Sequence, residues 1–358
     1  MAAIDQYAPI WYDGFDEVTQ LLGDTWTGAV GTTSAVTPFG FGRSLSPNNS
    51  QTTFRSFASN YAAVMFMGNY RTGNSFTSST DFNIFHLGDN GADTGNNQIG
   101  MNIGADGEWH MRRGNTTLTP ANTVGAFAST STWYNICLLS LFHASAGTVH
   151  VFIDGRLIMN FTGDTITTAN AYFNLLALMS GGATGTQWDD VALWAADTYT
   201  ISSDVVGTVG PNGTYPGPCR VVTSWPTGAG NQTQMTPNTG LNWAAAGETT
   251  QDGDGTYVLE TTAGQYDLYT IEAFPFTPLH VYSSQIVNTA RHDTASASEI
   301  KAVLRDDGDT DRFGTALTIS SSYTQKQHFW HKNPNGTVEW TKPMLDACEM
   351  GQECESLS

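Results

Sequence analysis

The sequence predicts an all-β protein built from two antiparallel β-sandwich domains, and three observations support this. Apolar runs of strand length recur along the chain and are bounded by Gly, Asn, Asp or Ser, which is typical of antiparallel sandwiches. No long segment shows the 3.6-residue period of an amphipathic helix. At 358 residues, the chain is too long for one ordinary sandwich and suits two domains of roughly 150 to 200 residues each.

The first domain is predicted at residues 1–198. Near its start, residues 16–23 are compatible with one or two helical turns. The predicted strands then follow in chain order as FRSFASNYAAVMFMG, FNIFHLGD, QIGMNIG, GEWHMRR, WYNICLLSLFHA, TVHVFID, RLIMNFTG, NLLALMSGG and WDDVALWAA. Each of these runs is bounded by turn-forming residues, so strands joined by tight connections are expected.

The stretch GTVHVFIDGRLIMNF, residues 147–161, is the clearest of these signals. Alternating apolar residues lead into and out of Asp154-Gly155. Asp-Gly favours a type I′ turn, in which both central residues have positive φ. We therefore predict a hairpin whose turn is Asp154-Gly155.

A linker is predicted at residues 199–220, because this segment alternates little and contains Pro211, Pro216 and Pro218. The second domain is predicted at 221–358, with strands RVVTSW, TYVLET, YDLYTI, LHVYSSQIVNTA, SEIKAVLRD, GTALTIS and KQHFWHK. ASEIKAVL also suits a helix by propensity, but the alternation of its apolar residues favours a strand. Near the end we expect a turn at Asn335-Gly336 and a short C-terminal helix in TKPMLDACEMG.

The charge balance excludes one class of partner. The formal net charge of −19 divides into −9 over residues 1–200 and −10 over the rest, and no Lys precedes Lys301. Because binding to phosphate backbones requires clustered Lys and Arg, we expect no nucleic-acid partner. We also expect neither a secretion signal nor a membrane partner, since the first residues lack a basic and an apolar region and no run approaches 18 apolar residues.

The four cysteines are too few and too scattered for a disulfide framework. Cys137 lies in an apolar run and is expected in a core, and Cys219 follows the proline cluster. Cys348 and Cys354 are expected to remain thiols in a reducing cytosol, with a bridge between them as the alternative.

Catalytic residues are not evident in the sequence. Glycoside hydrolysis needs two facing carboxyl groups, which sandwich glucanases supply with an E-x-D-x-x-E pattern on one strand. Residues 1–200 contain only Glu17 and Glu108, and neither is followed by a carboxylate two positions later. Asp189 and Asp190 are adjacent and would point to opposite faces of a strand. We therefore predict that the chain is not an enzyme and has no catalytic or cofactor-binding residues.

Metal binding has one candidate set. Asp13, Asp16, Asp189 and Asp190 would converge on a Ca²⁺ ion if the first and last strands of the domain lie side by side. The alternative is that these carboxylates flank edge strands, cap turns and stay solvated, and this is the interpretation that we favour. Apart from this candidate, no metal or cofactor is expected.

Other side chains are expected to have structural roles. QDGDGTYV, residues 251–258, lacks the ligands of an EF-hand and is expected to be a Gly-rich turn. His328 and His331 are three positions apart and would lie on opposite faces of a strand. The ten Trp residues are spaced almost one per strand, which is typical of sandwich cores, although some of them would also suit a sugar-stacking platform.

The first half resembles concanavalin A-like (laminin G-like) jelly rolls over about residues 8–198. The resemblance lies in WYDGFDEV, in residues 131–163 and in TQWDDVALWAADT. Asp154-Gly155 occupies the place of a V-x-V-D-G hairpin that recurs in that family. Because lectins, enzymes and adhesive modules share this fold, the resemblance implies the fold and not the function.

The second half is similar to a module of structural proteins of tailed bacteriophages. The matching parts are P-x-T-G-x-N-W at residues 237–243, an acidic loop with a D-x-Y strand, and the segment at 333–341 that precedes the short helix. Asn333 stands where Asp is more usual, and the tail with Cys348 and Cys354 departs from the pattern. That module has no catalytic residues, so the resemblance implies a structural role.

Together these features predict a virion structural protein, assembled in the host cytoplasm. The absence of heptads and of repeats of 20 to 50 residues argues against a fibre shaft, so capsid decoration or cement on the head surface is favoured. The alternatives are a tail or baseplate-associated protein and a glycan-binding adhesin. The expected partners are other virion proteins, namely the major capsid protein or tail proteins, and further copies of the chain. A host-surface glycan is the partner if the chain is an adhesin.

Overall fold

The computed structural model describes much of the chain, with gaps concentrated near the N-terminus and before the second half. The described residues are 10–13, 15, 27–28, 32–34, 44–47, 52–76, 82–89, 97–118, 128–180, 185–196, 219–248, 252–274, 276–278, 280–293 and 298–357. The predicted helical turns at 16–23, the carboxylates of Asp16 and Glu17, Trp26 and most of the predicted linker lie outside these residues.

The chain forms two compact units, which divide between Val221 and Val222. In the described parts of both units, antiparallel strands dominate and the helices are short. The predicted fold class, all-β with antiparallel sandwich units, is confirmed. No helix among the described residues is long and apolar enough to cross a membrane.

Among its described residues the first unit has fifteen strands, of which the longer ones follow the apolar runs of the sequence. They are β1 (Trp11–Asp13), β2 (Thr27–Gly28), β3 (Thr32–Ser34), β4 (Ser44–Ser46), β5 (Thr52–Tyr61), β6 (Ala63–Arg71), β7 (Phe82–Gly88), β8 (Asn97–Ile103), β9 (Trp109–Arg113), β10 (Thr116–Thr117), β11 (Trp133–Leu141), β12 (Gly147–Ile153), β13 (Arg156–Gly163), β14 (Phe173–Met179) and β15 (Gln187–Ala196).

These strands form two antiparallel sheets. Among the described residues, one sheet has eight strands in the order β13-β12-β11-β6-β15-β4-β3, with β1 paired to β15. The other has seven strands in the order β10-β9-β8-β7-β14-β5-β2. Paired strands such as β6 and β15 are far apart in the sequence, so the sheet is held together by pairing between distant segments of the chain.

The main core lies between the two sheets. Because side chains alternate between faces of a strand, every second residue of the central strands points inward. Phe66 from the eight-stranded sheet and Phe85 from the seven-stranded sheet have ring centroids 4.5 Å apart. Trp188 lies 5.8 Å from Phe66 and 6.0 Å from Phe85, so aromatic rings from both sheets fill the centre.

The opposite face of the eight-stranded sheet is also apolar and buried. Its cluster consists of Ala63, Met65, Met67, Cys137, Leu139, Phe152, Ala192 and Trp194. Cys219, which lies near the end of the predicted linker, packs against this cluster, and its Sγ lies 3.9 Å from Met67 Sδ. Cys137 is thus a core residue, as predicted.

The hairpin of β12 and β13 has the predicted turn. Asp154 and Gly155 have φ values of 51° and 78°, the positive values that a type I′ turn requires. Ile153 pairs with Arg156 on either side of the turn. The Asp154 carboxylate also accepts a hydrogen bond of 2.8 Å from the backbone N of Asn135 on β11, which ties the turn to the neighbouring strand.

The second unit has shorter strands and two short helices. They are β16 (Pro226–Thr233), β17 (Thr236–Pro237), α1 (Asn242–Ala246), β18 (Val258–Leu259), β19 (Tyr266–Ile271), β20 (Ser284–Ala290), β21 (Ser298–Arg305), β22 (Asp311–Phe313), β23 (Leu317–Ile319), β24 (Thr324–Trp330), α2 (Lys342–Ala347) and β25 (Glu349–Ser356).

Among the described residues of this unit, a six-stranded sheet has the order β16-β19-β25-β21-β22, with β23 also paired to β21. Strands β20 and β24 form a separate pair. Ile286 and Trp330 of that pair share an apolar cluster with Leu304 of β21 and with Trp340. The pair therefore packs on one face of the larger sheet.

Two predictions for the second half need correction. RVVTSW is not a strand, since the first strand begins at Pro226. The short helix is present as α2, but the chain continues into β25, which lies between β19 and β21 in the sheet. The predicted turn at Asn335-Gly336 is confirmed, since both residues lie in the turn between the paired residues Asn333 and Val338. The strand interpretation of ASEIKAVL is confirmed by β21.

A buried carboxylate joins separate segments of the second unit. Asp267 of β19 is fully buried. Its Oδ1 accepts hydrogen bonds from the backbone N of Gln234 (2.6 Å) and of Met235 (2.8 Å). Its Oδ2 accepts hydrogen bonds from Asn242 Nδ2 (2.5 Å) and Tyr269 Oη (3.0 Å). The start of α1 and strand β19 are thereby fixed together.

Candidate functional site: the polar face of the seven-stranded sheet

One face of the seven-stranded sheet carries a group of polar side chains. On β9, Trp109 and Met111 are each only 2% exposed and belong to the main core. Because faces alternate along a strand, His110 and Arg112 point to the opposite face of the sheet. The alternation of side chains in EWHMRR therefore places apolar residues in the core and polar residues on the other face of the sheet.

Neighbouring strands add further groups to this surface. On β8, Asn102 lies opposite His110 and Gly100 lies opposite Arg112. On β7, His86 lies opposite Gly100. We call the set His86, Asn102, His110 and Arg112 the polar face. The side chains of His110 and Arg112 are partly exposed, whereas those of Asn102 and His86 are buried.

The turn between β8 and β9 adds two carboxylates. Asp106, Glu108 and His110 place one potential metal-ligating atom each within 4.8 Å of one another, and we call them the turn cluster. His110 Nε2 lies 3.5 Å from Glu108 Oε2. The backbone N of Glu108 donates a hydrogen bond of 3.0 Å to Asp106 Oδ1, which holds that carboxylate against the turn.

His86 is one of two members of the polar face, with Asn102, that are almost completely buried. It is 2% exposed, and neither ring nitrogen has a hydrogen-bond partner among the described residues. Burial lowers the pKa of His86 to about 4, because desolvation disfavours the charged ring. The ring is therefore neutral at pH 7.

Three of the four carboxylates predicted as calcium ligands, Asp13, Asp189 and Asp190, lie among the described residues. Asp13 ends β1 opposite Val191, and its Oδ1 accepts a hydrogen bond of 2.8 Å from the backbone N of Phe15. Among the described residues, Asp13, Asp189 and Asp190 do not form a group with ligand atoms within 4.8 Å. Asp16 lies outside the described residues, so the full set stays a prediction.

Asp189 and Asp190 lie at a β-bulge of β15. They are 5% and 3% exposed, so the expectation that they stay solvated at an edge strand is wrong. The prediction that they point to opposite faces assumed regular alternation along the strand, and the bulge interrupts that alternation. Asp190 accepts hydrogen bonds from Asn69 Nδ2 (2.9 Å) and from the backbone N of Val221 (2.7 Å). These carboxylates stabilise the bulge and the segment that leaves the first unit.

The remaining candidates have structural surroundings. Residues 252–256 form a Gly-rich turn, in which Thr256 N donates a hydrogen bond of 2.8 Å to Asp252 Oδ1. His328 packs on Trp330, and His331 Nδ1 is 3.3 Å from Ser283 Oγ. The four cysteines are free thiols, and burial raises the pKa of Cys348 to about 12.

Most of the described Trp side chains are unavailable as a sugar platform. Trp11, Trp109, Trp188, Trp194, Trp330 and Trp340 are buried. They support the core interpretation of the Trp spacing.

The turn cluster was missed by the sequence interpretation, although a signal was present. Asp106, Glu108 and His110 alternate with Gly107 and Trp109. The E-x-D-x-x-E pattern requires a carboxylate two residues after a glutamate, whereas Asp106 lies two residues before Glu108. His86 had no such signal, because its burial depends on long-range strand pairing.

No protein-family model matches the chain, and no curated protein matches it. Several solved structures are similar to it. An endo-β-1,4-glucuronan lyase from the fungus Trichoderma reesei has 12% sequence identity and a TM-score of 0.35, with 53% of this chain and 96% of the lyase covered. The Trypanosoma rangeli sialidase in complex with sialic acid has 12% identity and a TM-score of 0.37, with 50% of this chain and 30% of the sialidase covered.

A third similar structure is domain 4 of AbnA, a GH43 extracellular arabinanase from Geobacillus stearothermophilus, in complex with arabinotriose. It has 12% identity and a TM-score of 0.34, with 52% of this chain and 85% of that chain covered. These low values assign no reaction, substrate or catalytic residue to the chain.

The prediction that the chain is not an enzyme needs correction. The similar structures are a lyase, a sialidase and a domain of an arabinanase, so the missing E-x-D-x-x-E pattern does not exclude catalysis. The residue argument was also incomplete, because it overlooked Asp106 beside Glu108.

Proposed function

We propose that the chain is a structural component of a tailed-bacteriophage virion and that it decorates or cements the head surface. The support comes from the second unit, where the segments that resemble a phage structural module meet in one buried network. Asn242 belongs to the P-x-T-G-x-N-W segment, and Asp267 and Tyr269 belong to the D-x-Y strand. Asn242 Nδ2 and Tyr269 Oη both donate hydrogen bonds to Asp267 Oδ2.

The segment at residues 333–341, which is the last part of the resemblance, is also held by buried hydrogen bonds. Asn333 is fully buried, and its Nδ2 donates a hydrogen bond of 2.8 Å to Asp307 Oδ1. Trp340 is 2% exposed, and its Nε1 donates a hydrogen bond of 2.7 Å to the backbone O of Trp330. The motif residues thus maintain the fold of the unit, which is the role expected in a structural module.

Attachment is expected through strand edges and loops. Strands β13 and β10 end the two sheets of the first unit, and β16 ends the large sheet of the second. Exposed edges must be paired, charged or covered, and Lys residues are absent before Lys301. Docking on a lattice of virion proteins covers such edges, and symmetric copies of this chain are the expected arrangement.

Antibody labelling of intact particles by electron microscopy tests the location. Label distributed over the head supports decoration. Label confined to the tail contradicts decoration and favours a tail or baseplate-associated protein. A control antibody against the major capsid protein shows that the head surface is accessible.

Glycan binding is the second candidate function, and the polar face favours it. His110 and Arg112 of β9 are partly exposed and present imidazole and guanidinium groups, and such groups bind sugar hydroxyls and carboxylates. Binding of labelled host-surface glycans to the full chain should fall in Arg112→Gln. Arg156→Gln, which changes an exposed Arg in the β12–β13 turn, should leave binding unchanged, and equal binding by both variants argues against this face.

A further inference from the structure

The turn cluster has the composition and spacing of a metal site. It combines two carboxylates and one imidazole whose ligand atoms lie within 4.8 Å of one another. Ligands about 2.1 Å from a tetrahedral Zn²⁺ ion are about 3.4 Å apart. The separation of 3.5 Å between His110 Nε2 and Glu108 Oε2 already matches this value, and a carboxylate oxygen of Asp106 lies within 4.8 Å of a ligand atom of each of these two residues.

Among the residues that the structure describes, the two carboxylates of the turn cluster form no ion pair with Lys or Arg. The basic group that Glu108 pairs with is His110. Two carboxylates this close repel each other. A divalent cation between them removes that repulsion.

Gly104 provides a second, independent observation. Its backbone N donates a hydrogen bond of 2.8 Å to the backbone O of Glu108, so it pairs with the segment that carries the turn cluster. A Cβ atom at this position would lie 2.7 Å from Asp106 Oδ1 and 3.4 Å from His110 Nε2. The missing side chain leaves the space in which those two ligand atoms approach each other.

We propose that Asp106, Glu108 and His110 bind a divalent transition-metal ion, for which Zn²⁺ is the best match. Imidazole nitrogen and carboxylate oxygen are ordinary zinc ligands, whereas Ca²⁺ takes six to eight oxygen ligands. Three protein ligands leave a fourth position for water or a ligand atom. The side chains of His110 and Glu108 are 26% and 34% exposed, so this position is open to solvent. The proposal does not depend on a location in a virion.

Isothermal titration of the full chain with ZnCl₂ tests the proposal. The wild type should bind one Zn²⁺ ion at this site. His110→Gln and Glu108→Gln each remove a ligand and should weaken binding at least about tenfold. His280→Gln removes an exposed histidine of the second unit and should leave the affinity unchanged. CaCl₂ should bind at least about tenfold more weakly than ZnCl₂.

Gly104→Ala tests the geometry of the site most specifically, because it keeps all three ligands. The new methyl group displaces the flexible end of Asp106, so the fold should remain while the affinity for Zn²⁺ falls at least about tenfold. Far-UV circular dichroism verifies that each variant is folded. If one variant unfolds, the other two still decide the outcome.

Three results would overturn the proposal. The first is a wild-type dissociation constant for Zn²⁺ weaker than about 100 μM. The second is equally tight binding of Zn²⁺ by the wild type, His110→Gln and Gly104→Ala. The third is binding of CaCl₂ as tight as that of ZnCl₂ in the wild type and in His110→Gln, which would exclude a transition-metal site.

Discussion

At the scale of single residues, the buried polar groups fall into two kinds. Asp267 accepts four hydrogen bonds, so its burial is compensated by donors. His86 has no hydrogen-bond partner among the described residues and is buried as a neutral ring. A buried polar group without partners lowers stability, and such groups are often found at functional sites. His86 therefore adds weight to the polar face as the place to look for binding.

The buried His86 predicts a pH dependence of stability. Its folded pKa is about 4, below the ordinary value of 6.5, so between these values the unfolded chain binds more protons than the folded chain. The free energy of unfolding is therefore highest above pH 6.5 and falls as the pH is lowered towards 4, by on the order of 3 kcal/mol from this residue.

Urea unfolding at pH 7, 6, 5 and 4 measures this effect. His86→Phe removes the titrating group and should flatten the pH dependence relative to the wild type. Leu87→Met, on the same strand, changes a core side chain without removing a titrating group and should keep the wild-type dependence. A His86→Phe curve parallel to the wild-type curve would refute the prediction.

Asp267→Asn should destabilise the second unit by about 2 kcal/mol or more. The carboxylate accepts four hydrogen bonds, and an amide replaces one of its accepting oxygens by a donor, which leaves buried donors without partners. Denaturant unfolding of the full chain, followed by tryptophan fluorescence, measures the change. Asp293→Asn, at an exposed position, should change stability by less than about 0.5 kcal/mol. Equal effects of the two variants would contradict a structural role for Asp267.

At the scale of elements, the β12–β13 hairpin depends on positive φ at its turn. Gly155→Ala should cost about 1–2 kcal/mol, because an L-residue is strained in the left-handed region. Asp154→Asn should cost less than about 0.5 kcal/mol, since Asn tolerates this region and its side-chain oxygen still accepts the hydrogen bond from Asn135 N. Differential scanning calorimetry compares the two variants. Equal melting temperatures would show that the turn does not limit stability.

The strands of the first unit were predictable because burial and local alternation agree there. The runs WYNICLLSLF and TVHVFID became β11 and β12, since each has an apolar face that the core covers. The sequence of β25, EMGQECES, has no such alternation. This strand is held by backbone pairing with β19 on one side and β21 on the other, and strand pairing of this kind leaves little trace in local sequence.

The polar face was less predictable from the sequence, because it too depends on pairing between strands. The polar face is assembled from three strands, and only their register brings His86, Gly100 and Arg112 into one row. The turn cluster, in contrast, lies within five consecutive residues. Its alternating acidic and imidazole side chains could have been recognised from the sequence alone.

At the scale of the whole molecule, the proposed attachment to a virion predicts a particular response to salt. Both halves of the chain are acidic, so a mainly ionic attachment among such subunits is disfavoured. If the contacts are apolar and hydrogen-bonded, the protein should remain on purified particles in about 1 M NaCl, where the screening length falls to about 3 Å. Release of most copies by salt alone, measured by gel densitometry, would contradict this mode of attachment.

The central claim is that this chain is a component of the virion, and quantitative mass spectrometry of gradient-purified particles tests it most directly. Peptides from both units should be present at a constant ratio to the major capsid protein through successive purification steps. Lysate from the same culture serves as the reference for contaminating host and phage proteins. If the chain is abundant in the lysate but its ratio to the major capsid protein falls towards zero during purification, the account of a virion protein is wrong.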